Sequence, residues 1–187
     1  AGDEGLQESL EIGAPMLRAM LLAFPGDPAG ETLDRQYLLG DSLLVAPVLR
    51  EDSIVEYYLP AGRWTNFLTD EVVTGGSWRR EKVDYLSIPL WVPENSVIPV
   101  GARDDCPDYD YAEGVTLHVF NLGDGATVDV TVPDTLGAPR AVFHVTRQGQ
   151  ALKVSREGAP GAWSVLVRGK GLQPVKVEGS QALVMLS

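Results

Sequence analysis

The spacing of apolar and polar positions divides the chain near residue 42. Before that point, Pro15-Met16-Leu17-Arg18-Ala19-Met20-Leu21-Leu22-Ala23-Phe24 is apolar at every position but Arg18, and Pro25-Gly26-Asp27-Pro28 closes it. Such a run has no period that separates a buried strand from a buried helix. Gly13 ahead of it and the Pro/Gly cluster behind it favour a strand covered on both faces, as in a parallel sheet. A short helix is expected on each side. The first has Asp3 as N-cap, Leu6 and Leu10 one turn apart, and Gly13 as its stop. The second places Leu33, Tyr37 and Leu38 on one side, with Asp34 in its first turn and Gly40 at its end. Helix, strand, loop, helix is the order of an α/β unit, and one such unit closes neither a barrel nor a sheet by itself.

From Leu43 onward the pattern changes to strands and turns. Residues 43–49 are an apolar run and 54–59 alternate; Pro60-Ala61-Gly62 turns before Trp64, and Thr74-Gly75-Gly76 before Trp78. Further strands are expected at 85–90, 96–100, 115–121, 127–132, 141–146, 152–155, 163–168 and 182–186. Turn signals recur at the spacing of a β-sandwich, roughly every 8 to 12 residues. The acidic stretch 103–113, which contains Pro107 and no strand pattern, is expected to separate two β units. The predicted fold is therefore mainly β: two antiparallel sandwich-like domains, 43–112 and 113–187, preceded by a β/α unit over 1–42.

Composition narrows the function classes. Asp and Glu number 26 against 15 Lys and Arg, a formal charge of −11 that argues against a nucleic-acid partner, which needs clustered cations. The chain is 44% hydrophobic and its mean hydropathy is −0.01, as in a packed domain rather than a disordered tail. Cys106 is the single cysteine, so neither an internal disulfide nor a Cys-rich zinc site is available, in keeping with a reducing, cytoplasmic setting. The longest apolar stretch, 14–24, is far short of the roughly 20 residues of a bilayer span, and neither a membrane contact nor a leader is expected.

The candidate chemistry is sparse. Asp104, Asp105, Asp108, Asp110 and Glu113 supply oxygens, but their spacing fails the twelve-residue calcium loop, and a solvated linker is the expected reading. Adjacent carboxylates on an extended chain point to opposite sides, so they do not make a glycosidase pair. His118 and His144 each lie in an alternating strand without a second ligand at metal-binding spacing. Gly-x-Ser-x-Gly is absent, Cys106 lacks a cationic activator, and Gly123-Asp124-Gly125 reads as a hairpin turn. Trp64, Trp78, Trp91, Trp163, Tyr57-Tyr58 and Tyr109-x-Tyr111 are enough aromatics for a sugar-stacking platform. They are expected to fill cores instead, with Tyr109 and Tyr111 as the exceptions.

Three segments resemble one family. Gly13-Ala14-Pro15-Met16-Leu17-Arg18-Ala19-Met20, Phe24-Pro25-Gly26-Asp27-Pro28, and the run from Leu33-Asp34-Arg35-Gln36-Tyr37 through Gly40-Asp41-Ser42-Leu43-Leu44-Val45-Ala46-Pro47-Val48 are similar to the C-terminal part of glycoside hydrolase family 31. Tyr58-Leu59-Pro60-Ala61-Gly62-Arg63-Trp64-Thr65 extends the match, and the Met-Leu-Arg-Ala-Met and Asp-Arg-Gln-Tyr wording resembles the bacterial α-xylosidase branch. The resemblance implies a (β/α)8 barrel followed by proximal and distal β-domains. On that mapping 15–24 is the eighth barrel strand, 33–39 the last barrel helix, and the β-domains begin near Leu43 and Val115. It also implies a retaining mechanism whose Asp nucleophile, Asp acid/base and substrate-binding residues all lie upstream. No catalytic, substrate-binding or metal residue is thus assigned to this chain, and no cofactor.

The resemblance further implies that the chain is a piece of a longer exo-α-glycosidase, releasing α-linked xylose from xyloglucan-type oligosaccharides, with self-association as an added partner. The isolated chain is expected to be inactive. An apolar strand without neighbours is an aggregation hazard, so 15–24 must pair with a barrel, repack on the β-domains or dimerise. The rival readings are an α-glucosidase of the same family, a carbohydrate-binding module stacking sugars on Tyr109, Tyr111 or Trp78, and an interaction scaffold.

Overall fold

The computed structural model describes residues 16–27, 33–84 and 86–186. The helix expected between Asp3 and Gly13 lies outside the described residues. In chain order the elements are β1 (Leu17–Ala19), α1 (Met20–Ala23), β2 (Tyr37–Leu39), β3 (Leu43–Val45), β4 (Ile54–Leu59), β5 (Arg63–Asn66), β6 (Val72–Thr74), β7 (Ser77–Lys82), β8 (Leu90–Pro93) and β9 (Ser96–Val100). They continue with β10 (Thr116–Phe120), β11 (Thr127–Pro133), β12 (Pro139–Gln148), β13 (Ala151–Gly158), β14 (Trp163–Val167), β15 (Val175–Val177) and β16 (Gln181–Met185). The fold is mainly β, with a single four-residue helix among the described residues.

Two strand layers build the first half. One is a six-stranded sheet in the order β1-β2-β3-β8-β5-β6, with every pairing antiparallel. The other is the β4–β7 ribbon. Strand β4 alternates as its sequence requires: Val55, Tyr57 and Leu59 are buried and meet Leu44, Trp64, Trp91 and Met20 of the sheet layer in one core. Two four-stranded sheets, β15-β14-β10-β9 and β11-β12-β13-β16, enclose the second core, centred on Leu117, Phe143, Val145, Val154 and Trp163. Within the first of these, β10 and β14 run parallel.

Strand β9 ties the halves together. Its side chains are buried on both faces from Ser96 to Pro99, because Val97 enters the second core while Ile98 packs with Val92 and Phe120 in a third cluster between the halves. β9 is an edge strand, the position at which Pro99, lacking an N–H, does not break a ladder.

Residues 16–27 and 33–42 depart from the expected α/β unit. Residues 33–36 are irregular, and Tyr37–Leu39 is a strand where a helix was expected. The reason is tertiary: Leu38 pairs with Leu44 in register and is buried in the sheet core, while Asp34 and Arg35 stay in solvent. The apolar run is not a strand covered on both faces either. Among its described residues only Leu17–Ala19 is strand, paired antiparallel with β2, and α1 follows it; Met20 is fully buried, but Leu17, Leu21 and Leu22 are exposed.

Smaller differences have similar causes. The strand expected at 85–90 begins at Leu90, and β6 and β15, three residues each, carry too few side chains to show a period. Gly123-Asp124-Gly125 is a turn, with Ala126 N–H donating to Gly123 O at 3.1 Å, but it joins strands of different sheets rather than forming a hairpin.

Candidate functional site

The aromatics separate into core and surface. Trp64, Trp91, Trp163 and Tyr57 are buried, and each polar edge has a partner. Trp64 Nε1 donates to Pro60 O (2.8 Å), Trp163 Nε1 to Gly179 O (2.8 Å), and Trp91 Nε1 to the Tyr57 hydroxyl (2.9 Å), which itself donates to Glu81 (2.6 Å). Tyr109 and Tyr111, the expected exceptions, are half-buried and pack edge to face at 5.0 Å. Tyr111 also rests on the second core and donates to Pro107 O at 2.5 Å. The open aromatic is Trp78, 59% exposed on β7 and held at 5.7 Å by its cross-strand partner Tyr58. It borders a groove of about 280 Å³ into which Arg35, Gln36, Arg50 and Glu56 also face.

Two carboxylates of the acidic segment, Asp105 and Asp110, are held by arginines. Asp105 is clamped by Arg103 (2.8 Å) and Asp110 by Arg140 (2.8 Å), and these guanidinium bonds hold both carboxyls below the usual range. Asp110 also caps Ala112 N–H at 3.1 Å. Cys106 makes one weak contact, to Asp108 O at 3.8 Å. Among the described residues no group of three or more His, Cys, Asp or Glu side chains is placed to hold a metal ion.

The two histidines lie in opposite electrostatic settings. His144 Nδ1 is 2.7 Å from Asp129 and Nε2 is 3.7 Å from Glu157, and the Asp129 hydrogen bond raises its pKa. His118 is half-buried against Phe67, the rings stacked at 5.8 Å, and its Nδ1 accepts from Arg168 Nη1 at 2.8 Å. A guanidinium can only donate, so the proton of the neutral ring sits on Nε2. Burial first and the Arg168 charge second push the His118 pKa down to about 4, against the opposing pull of Asp70.

Arg168 is the hinge-pin of the two halves. It is 8% exposed and donates to Asp70 Oδ1 (2.5 Å) and Phe67 O (2.6 Å) in the first half while bonding His118 in the second. Asn121 to Thr65 (2.7 Å) and Gly123 N–H to Asn95 (2.6 Å) cross the same seam. The sequence reading missed this cluster, and no local signal marks it, because Arg168 and Asp70 are 98 residues apart. Beside the seam lies a cleft of about 350 Å³ bordered by Arg63, Arg147, Arg168 and Lys170.

Two family models match the chain in tandem: the glycosyl hydrolase family 31 C-terminal domain over residues 13–98, and the C-terminal domain of alpha-xylosidase YicI over 110–185. The chain is 30% identical to alpha-xylosidase XylQ of Lactiplantibacillus pentosus over 88% of its own length and 22% of the relative's. It is 28% identical to alpha-glucosidase 2 of Bacillus thermoamyloliquefaciens over 68% of its length and 16% of the relative's. A GH31 dextranase of Flavobacterium johnsoniae, solved in complex with glucose, superposes with a TM-score of 0.71 at 25% identity, covering 86% of this chain and 22% of that one. The chain thus spans about a fifth of the length of the curated relatives it matches.

Proposed function

We propose, on the premise that this chain belongs to glycoside hydrolase family 31 as its C-terminal region, that it buttresses the catalytic barrel of a retaining α-xylosidase and carries none of the reacting groups itself. The observation that carries this reading is the tandem match, in which the second half follows an α-xylosidase C-terminal domain directly after the family's general C-terminal domain. The surface agrees with it. β1 is the edge of the six-stranded sheet, and Leu17, Leu21 and Leu22 expose apolar area beside it. An edge strand with exposed leucines, unpaired on its outer side among the described residues, is where further chain docks. We place the end of a (β/α)8 barrel over residues 1–42, with β1 and its exposed leucines turned towards the rest of that barrel.

Retaining hydrolysis needs two carboxyl groups about 5 Å apart, one of them a general acid in a water-poor pocket. The carboxylates facing the Trp78 groove, Asp34 and Glu56, have side chains 87% and 57% exposed, and each lies beside an arginine. Neither has the enclosure that an acid requires. Purified chain should therefore leave p-nitrophenyl α-xyloside and p-nitrophenyl α-glucoside uncleaved, while the whole enzyme cleaves the xyloside faster. Turnover by the chain alone would refute the support role, and a whole enzyme faster on the glucoside would refute the substrate.

A carbohydrate-binding role is the second reading, favoured by the open Trp78 face beside its polar groove. Saturable binding of xylo-oligosaccharides that disappears in Trp78→Ala supports it, and no binding leaves the buttress alone.

A further inference from the structure

The cleft beside the seam concentrates positive charge on an acidic chain. Four of the 15 Lys and Arg residues, Arg63, Arg147, Arg168 and Lys170, border it, although the chain as a whole carries −11. Among the described residues only Arg168 has its charge matched, by Asp70. The Arg63 guanidinium has no hydrogen-bond or ion-pair partner among the described residues. Arg147 spends Nε on Gly149 O (2.9 Å) and Nη1 on Leu122 O (2.7 Å), and Lys170 Nζ donates to Leu186 O (2.9 Å). These bonds go to neutral carbonyls, which orient the cations without neutralising them. Among the described residues Glu94 is the one carboxylate facing the cleft, and it accepts from the Arg63 backbone N–H at 3.2 Å. Asp124, at the rim, is engaged by Gly149 N–H at 2.7 Å.

Among the described residues, three unmatched cations against one carboxylate leave the cleft positive. A concave site lined by one sign of charge focuses its field inward and collects counter-ions. The free donors suit an oxyanion: two remaining N–H groups on Lys170, a fork on Arg63 and the spare Nη2 of Arg147. The space is several times what a bare oxyanion fills, and Leu122, Val119 and Val167 supply apolar wall beside the cations. We propose that this cleft binds a small dianion, a phosphate group either free or carried on a sugar, between the two β units.

The test is calorimetric titration of the 187-residue chain at pH 7.5 and low ionic strength with inorganic phosphate, with glucose 1-phosphate, and with glucose as the neutral control. Both phosphates should bind saturably and glucose should not. A tighter sugar phosphate identifies the carried group as the ligand, and equal affinities identify the free ion. Arg63→Gln and Lys170→Gln are exposed changes that leave the cores untouched. Each should weaken phosphate binding about fivefold, the scale of one charge at contact distance in water, and together they should multiply. Raising the salt should weaken binding as screening shortens. No saturable phosphate binding, binding unchanged in the double variant with an unaltered melting curve, or glucose bound as well as phosphate would each overturn the proposal.

Discussion

Two histidines on neighbouring parts of one β unit should answer pH in opposite senses, and the signs follow from what each ring touches. The His118 pKa is pushed down to about 4 by burial and by Arg168, so between pH 4 and the ordinary value of 6.5 the unfolded chain binds the proton and the folded chain does not. Its contribution to stability is whole above about pH 6.5 and is lost as pH falls towards 4. His144 is the reverse case. Asp129 raises its pKa, so its smaller contribution is whole below about pH 6.5 and fades as pH rises through the raised value. Titration of the imidazole C–H protons by NMR should give one midpoint near 4 and one above 6.5. A His118 midpoint at the ordinary value would remove the Arg168 contact from the account, since a ring whose Nδ1 accepts from a guanidinium cannot be protonated there without breaking that bond.

Among the connecting elements, the Gly75-Gly76 pair between β6 and β7 separates two demands on glycine that the sequence shows as a single turn signal. A Cβ at Gly75 would sit 1.9 Å from Pro60 O and 2.9 Å from the Trp64 indole, wedging apart the Trp64 Nε1 to Pro60 O hydrogen bond. At Gly76 there is room, with Ala61 Cα 4.0 Å away, but φ is +83°. Gly75→Ala should therefore cost about 3 kcal/mol, the scale of an overpacked core, and Gly76→Ala about 1 kcal/mol of left-handed strain. Urea midpoints read both, and equal losses would contradict the steric account. The same contrast explains what was legible in the sequence. β4 and β9 were readable because alternation or continuous burial shows within five or six residues. β2 was not, because Leu33, Tyr37 and Leu38 also fit one helix face, and only the pairing of Leu38 with Leu44 decides between them. Trp78 was readable as an aromatic but not as the exposed one, which depends on the ribbon presenting it outward while Tyr111 leans on the second core. The cationic cleft had no signature at all, since Arg63 opens β5, Arg147 lies near the end of β12 and Lys170 sits in the turn after β14, far apart along the chain.

At the scale of the whole molecule, the acidic segment 103–113 crosses between halves that are joined by more than the chain. Strand β9 precedes that segment yet hydrogen-bonds β10 beyond it over five residue pairs, from Val100–Thr116 to Ser96–Phe120. The Val92, Ile98 and Phe120 cluster closes around the same junction, and Arg168 holds Asp70 and Phe67 across it. Every one of these contacts lies outside the segment, whose first part has only local bonds, such as Arg103 to Asp105, while its end is tied to the second half by Asp110 to Arg140 and Ala112 O to Arg156. Cleavage after Arg103, whose side chain is 52% exposed, should thus cut the chain without releasing either part. A fragment that keeps β9 retains a strand whose main partner is on the other fragment, and separating them would uncover Ile98, Val97 and Phe120 together, at about 1.5–3 kcal/mol for each buried side chain. Nicked protein should co-elute as one species in size-exclusion chromatography under native conditions and split into two only in denaturant. Two native peaks would mean that the backbone link at 103–113, not the β9–β10 ladder and the Arg168 cluster, holds the halves together.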